Sequence, residues 1–241
     1  MWHALLWGGI AGSAVFIGAL MGLLLPIKKK IIGYIMAFGT GVLIGAASFE
    51  MLDESLQIGG LSVTISGFMI GAALFTAFDI MIAKRGGKER KRSKENPKNN
   101  SGLAIFIGTV IDAIPESVII GISLIHQQVS YLLVIAIFIS NLPEGLSSSI
   151  GLKKDGYSNR KILFLWVIVF LLSSLSACLG FIFLQDASNS LVAGISAFAA
   201  GGVVAMVSST MMPEAHEEGG PIVGFITALG LIASLVLTTI Q

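Results

Sequence analysis

Apolar residues recur along this chain in runs of about twenty, separated by short polar breaks. The runs fall at residues 4–25, 31–52, 61–83, 103–125, 131–152, 162–184, 191–212 and 222–240. None alternates apolar with polar at period two, which excludes the strands of a transmembrane barrel. A helix of ~20 residues rises ~30 Å, the thickness of a bilayer's hydrocarbon core. The pattern therefore predicts an all-α membrane protein, an eight-helix transmembrane bundle forming one domain over residues 1–241. Pro115 and Pro143 fall inside runs, which membrane helices tolerate because neighbours re-satisfy the freed backbone groups.

Composition agrees with lipid as the main solvent. Hydrophobic residues make up 54% of the chain and charged residues 12%, against ~25% charged in an ordinary soluble domain. Mean hydropathy is +0.88. Gly8 and Gly12, Gly18 and Gly22, and Gly41 and Gly45 form faces of small residues four apart. Such faces let helices approach closely, within the bundle or at a homodimer seam. The single cysteine, Cys178, lies in an apolar run and can form neither an internal disulfide nor a CxxC metal site. The first run has its lysines after it, the reverse of a signal peptide, and reads as a retained span.

Charge placement predicts orientation. Lys28, Lys29 and Lys30 follow run 1, eight basic residues between 84 and 98 follow run 3, and Lys153, Lys154, Arg160 and Lys161 follow run 5. These are all 15 Lys and Arg of the chain. In an eight-span arrangement they share one face, which is then cytoplasmic, with both termini extracytoplasmic in a multi-pass protein of the cell membrane. Residues 84–102 are basic and poor in apolar residues, and read as a disordered cytoplasmic loop able to touch anionic headgroups. No nucleic-acid motif accompanies it, so the bilayer is a partner and nucleic acid is not.

Ionisable groups inside membrane helices are costly and usually functional. Span 4 carries Asp112-Ala113-Ile114-Pro115-Glu116-Ser117, and span 5 carries Ser140-Asn141-Leu142-Pro143-Glu144-Gly145. Residues four apart share a helix face, so Asp112 stacks with Glu116 and Ser140 with Glu144. Each Pro frees the carbonyl four residues earlier, Ile111 and Ile139. Helix rise places Asp112 and Ser140 ~15 Å, and Glu116 and Glu144 ~21 Å, from the ends at which their spans begin. A short connection makes the two spans antiparallel neighbours, so Asp112, Glu116, Asn141 and Glu144 can converge near mid-membrane. Three carboxylates without a basic residue in any span require protons or a cation. A divalent metal ion, as transported substrate and not as a prosthetic group, is the natural counter-charge.

At these residues the chain resembles the ZIP family of divalent metal transporters. The family has eight spans, both termini outside, and a metal site that is typically HNxPEG in span 4 and HxxPE in span 5. The matching stretches here are 112–117 and 140–145, and Met211-Met212-Pro213-Glu214-Ala215-His216-Glu217-Glu218 in span 7 is similar to the family as well. The resemblance implies that Glu116 and Glu144 bind metal, with Asp112 and Asn141 as further ligands. Asp112 and Ser140 stand where the family usually has His, and Ala113 where it has Asn. An all-oxygen site tilts preference toward harder ions such as Mn²⁺ while still admitting Zn²⁺.

At the two mouths, Glu50, Asp53 and Glu54 can gather ions outside, and Glu214, His216, Glu217 and Glu218 can release them inside. An enzyme is not expected: HExxH and the GxGD pattern of intramembrane aspartyl proteases are absent, and Asp79 and Asp112 differ in depth by ~9 Å. A proton-linked carrier of another solute, or a transport-inactive sensor, is the alternative, because the family histidines are missing.

Overall fold

A computed structural model describes residues 1–82, 101–126 and 130–240; the side chains of residues 82, 101–105 and 126 lie outside this description. No strand occurs among the described residues. The helices are α1 (Trp2–Leu24), α2 (Lys29–Ala46), α3 (Asp53–Ile82), α4 (Ser101–Ser123), α5 (Tyr131–Lys154), α6 (Asn159–Leu184), α7 (Asn189–Met206), α8 (Met212–Gly219) and α9 (Val223–Ile240). Two π turns, Ala47–Leu52 and Val207–Met211, join α2 to α3 and α7 to α8. The basic segment expected to be disordered falls mostly on residues 83–100, outside the description, and α4 already begins at Ser101.

Among the described residues, seven helical stretches are long and apolar enough to cross a membrane. The difference from eight runs has one cause. Runs 2 and 3 form a single stretch, Lys29–Met81, of 53 residues. Its one non-helical residue is Gly60, at φ 75° and ψ 170°. Only glycine adopts that backbone cheaply. In a straight helix Ser55 and Thr64 would stand ~13 Å apart, yet their hydroxyls are 3.1 Å apart. Ser48, Leu52 and Leu56 before the break line one cleft with Leu61, Ile65 and Met69 after it. The stretch folds back on itself without a loop.

Lys29–Gly60 and Asn189–Gly220 are built alike. Both start an 18-residue α-helix, pass through a π turn and end at a glycine with φ 75°. In this register Ala37-Phe38 matches Ala197-Phe198, Gly41 matches Gly201, Ser48 matches Ser208, Met51 matches Met211, and Glu54 matches Glu214. Packing is reciprocal: Gly71 of α3 sits against the Phe198 carbonyl, and Gly230 of α9 against the Phe38 carbonyl. Thus α2 packs on α9 and α7 on α3.

The two copies run in opposite directions. Gly33, near the start of α2, lies against the Gly219 backbone at the end of α8, while the Ser55 hydroxyl bonds the Ala193 carbonyl near the start of α7. The chain contains an inverted repeat.

Helices α1, α4, α5 and α6 form a second packing group. Gly18 and Gly22 of α1 receive the carbonyls of Leu142 and Leu146, Gly8 and Gly12 receive Ala177 and Ser173, and Gly121 of α4 receives the Ala177 carbonyl. Gly41 and Gly45 pack on Thr227 and Ser234 of α9. All six glycines of the small-residue faces therefore meet neighbours within the chain. Buried Trp166 donates its indole N–H to Ser149 at 2.7 Å, fixing α6 to α5.

Candidate ion-binding site

The α5 helix lies between the two packing groups and carries its polar residues in a stripe. Ser140, Asn141, Glu144 and Ser147 are all buried. Ser140 lies against Gly39 of α2, whose missing side chain leaves room for the α5 backbone. The Ile139 carbonyl, which Pro143 leaves without its helical donor, lies against the same glycine. One turn beyond Glu144, Ser147 donates to Glu214 Oε1 at 3.1 Å. Helix spacing sets Glu144 between Ser140 and Ser147 on one face, the face turned toward α2 and α8.

The α4 carboxylates are placed differently. Asp112 and Glu116 are both buried, at 5% and 4% exposure. As their spacing requires, they line one pocket together, of about 100 Å³, between α4, α3 and α7. Ile111, whose carbonyl Pro115 leaves without its helical donor, lines it too. The other walls include Phe75, Phe78, Phe198 and Met206. Asn141 and Glu144 do not line this pocket. The four principal candidates are thus all interior, two beside α3 and α7 and two on the α5 stripe. Among the described residues no three His, Cys, Asp or Glu come together as a ready-made metal cage.

The span 7 acids divide. Glu214 is 3% exposed and reaches α5, whereas His216 and Glu217 are exposed. Glu218 pairs with Lys29 Nζ at 3.4 Å across the α2–α8 contact. The grouping of His216 with three acids therefore does not form. In a helix Glu214 and His216 point ~200° apart, so one cannot face the core with the other. At the opposite end Glu50, on the first π turn, shares a side-chain hydrogen bond with Ser130, the residue that caps α5.

Sequence reasoning passed over Ser147 and Ser130, which anchor these two acids. Ser147 opens a Ser-Ser-Ser run one turn after Glu144, and that spacing was the available signal. The π turns have no sequence signature in these apolar runs.

No family model matches the chain. It is similar to the zinc transporter GufA of Myxococcus xanthus, 26% identical over 245 residues, covering 94% of this chain and 96% of that one. It is also similar to a putative zinc transporter of Arabidopsis thaliana, 24% identical over 212 residues, covering 87% of this chain and 34% of that one. The chain spans about a third of the plant relative's length and nearly all of the bacterial one's. Seven membrane-capable helices, together with relatives named as transporters, make this an integral membrane protein.

Proposed function

We propose that the chain carries a divalent metal ion across the cell membrane, in eight crossings with both termini outside, as a divergent relative of the ZIP transporters. The observation that carries this is four buried carboxylates, Asp112, Glu116, Glu144 and Glu214, in a bundle that buries no Lys or Arg among the described residues. Buried acids of one sign repel unless a cation or protons neutralise them. Both relatives are named for zinc. An inverted repeat supports the reading, because many secondary transporters set their substrate at such an interface near the midplane.

Two further features favour eight crossings and a cytoplasmic basic end. The reversal at Gly60 makes two spans of the 53-residue stretch. Lys28, Lys29, Lys30, Lys153, Lys154, Arg160 and Lys161, the basic residues among those described, gather at one end, because α2 starts where α5 finishes. That end is cytoplasmic by the distribution of positive charge.

In this scheme Glu50 meets the ion outside. Asp112, Glu116, Asn141 and Glu144 hold it in turn, with Ser140, the freed Ile111 carbonyl and water completing an oxygen shell. Glu214 receives it on the way to the cytoplasm, with exposed His216 and Glu217 beyond. Zinc or manganese is the cargo. The test is uptake of radioactive zinc and manganese by proteoliposomes holding the purified chain. Glu116→Ala and Glu144→Ala should each abolish uptake while inserting normally. Uptake at the native rate by either variant would refute the assignment.

A further inference from the structure

A threonine inside a helix can return its hydroxyl to the carbonyl one turn back. Thr64, Thr76, Thr210 and Thr238 do so, to Gly60, Ala72, Met206 and Ser234. Thr40 of α2 does not. It is wholly buried, at 0% exposure, and its hydroxyl has no hydrogen-bond partner among the described residues. Such a group loses its hydration and gains nothing in return. Ser173 and Ser234 share this condition, but each fills a tight crossing against a glycine, Gly12 and Gly45. At Thr40 the crossings are made by its two neighbours, Gly39 against α5 and Gly41 against α9. The inverted repeat supplies a control. The register that matches Gly41 with Gly201 matches Thr40 with Ala200, which is equally buried. Packing at this position is therefore met without a hydroxyl.

Helix geometry gives the direction of the side chain. Thr40 lies seven residues after Gly33, about 20° round the helix axis, and Gly33 rests on α8. Gly39, against Ile139 and Ser140 of α5, is about 100° away. Thr40 thus enters the seam that has α5 on one side and α8 with the π turn Val207–Met211 on the other. The polar stripe of α5 faces the same seam. Ser140 is one turn outward of Glu144, and Glu50 is ten residues, ~15 Å, outward of Thr40 along α2. Thr40 stands between the acid of the outer mouth and those of the interior.

We propose that Thr40 Oγ1 is a ligand on the ion's path, a neutral oxygen that holds a divalent cation between Glu50 and Glu144. The inference rests on the proposed function above. Conduction needs binding strong enough to admit an ion and weak enough to release it, and carboxylates alone bind a divalent ion tightly. A hydroxyl that is not committed to its own helix can turn a lone pair to the ion. Water and the Ile139 carbonyl beside Gly39 supply further oxygens.

Thr40→Val removes the hydroxyl and keeps the shape, whereas Thr40→Ser keeps the hydroxyl. In proteoliposomes of the purified full-length chain, Thr40→Val should slow uptake of radioactive zinc about fivefold, the size of one ordinary polar contact. Its thermal midpoint in detergent should equal or exceed that of the wild type, because no hydrogen bond is lost. Thr40→Ser should restore uptake while melting lower, having lost a methyl group. A packing role would move activity and stability together. A second measurement does without transport. In a Cys178→Ser background a small cationic methanethiosulfonate should modify Thr40→Cys, and zinc should slow that reaction.

Native uptake by Thr40→Val overturns the proposal, as does a loss of uptake that Thr40→Ser fails to restore or that a fallen midpoint accompanies. So does Thr40→Cys that stays unmodified, or that zinc does not shield. Should the wild type carry no zinc while zinc shields Thr40→Cys, the transport reading fails and the ligand stands. Should the wild type carry zinc with Thr40→Val as fast and Thr40→Cys unshielded, Thr40 fails alone.

Discussion

The Ser147 hydroxyl donates to Glu214 Oε1 at 3.1 Å, joining α5 to α8 in the buried interior one turn beyond Glu144. It sets an acid from the second repeat beside the polar stripe of α5. Removing the donor should cost about 1.5–3 kcal/mol, the range for a buried hydrogen bond to a charged group. Ser147→Ala should therefore lower the thermal midpoint in detergent, and Ser147→Thr should restore most of it. Glu214→Ala should cut metal uptake about tenfold or more, equivalent to ~1.4 kcal/mol of lost stabilisation along the path. Unimpaired uptake by Glu214→Ala would leave the pair a structural clamp.

Asp112 should influence which metal is carried. Asp112→His exchanges a hard anionic oxygen for a borderline nitrogen one turn from Glu116. Losing the charge weakens attraction for every divalent ion, and zinc recovers more through the nitrogen than manganese does. The zinc-to-manganese uptake ratio should rise even as both rates fall, and the gain should fade below pH ~6.5 as the imidazole protonates. Dual-isotope competition measures the ratio. A constant ratio in a functioning variant would remove Asp112 from the ligands.

Adjacent glycines on α7 should behave oppositely. A methyl group on Gly201 would run into the Phe68 carbonyl, whereas one on Gly202 would meet nothing within 4 Å. Gly201→Ala should cost about 1–3 kcal/mol through overpacking. Gly202→Ala should be neutral or stabilising by up to ~1 kcal/mol, from helix propensity. The repeat predicts that Gly41→Ala, against the Thr227 carbonyl, behaves like Gly201→Ala. Thermal unfolding of the three variants decides the matter; equal midpoints for Gly201→Ala and Gly202→Ala would contradict the packing.

Orientation is open to cysteine labelling in a Cys178→Ser background. Asn189 and Lys154 are exposed at opposite ends of the bundle. A membrane-impermeant thiol reagent should label Asn189→Cys in intact cells and leave Lys154→Cys unmodified until the cells are opened. The reverse pattern would invert the topology and the direction of transport.

The sequence by itself determined that the chain is helical and apolar enough to cross a membrane, that basic residues alternate between breaks, and that Pro115-Glu116 and Pro143-Glu144 stand in successive apolar runs. These are local properties: run length meets bilayer thickness, and each Pro acts on its own turn. It left open which face of each helix turns inward. In water that is read from one apolar stripe, but in lipid the outer face is apolar too, so the pattern carries little direction. Only the tertiary structure decided that Glu214 turns in while His216 turns out, that Asp112 and Glu116 share a pocket with α3 and α7, and that Glu50 meets Ser130. The repeat shows the same division. Gly59-Gly60 and Gly219-Gly220 are the same dipeptide. Their place at the ends of two inverted copies emerges only when α2 packs on α9 and α3 on α7, because backbone approach across glycines, and not hydrophobicity, selects partners in a membrane.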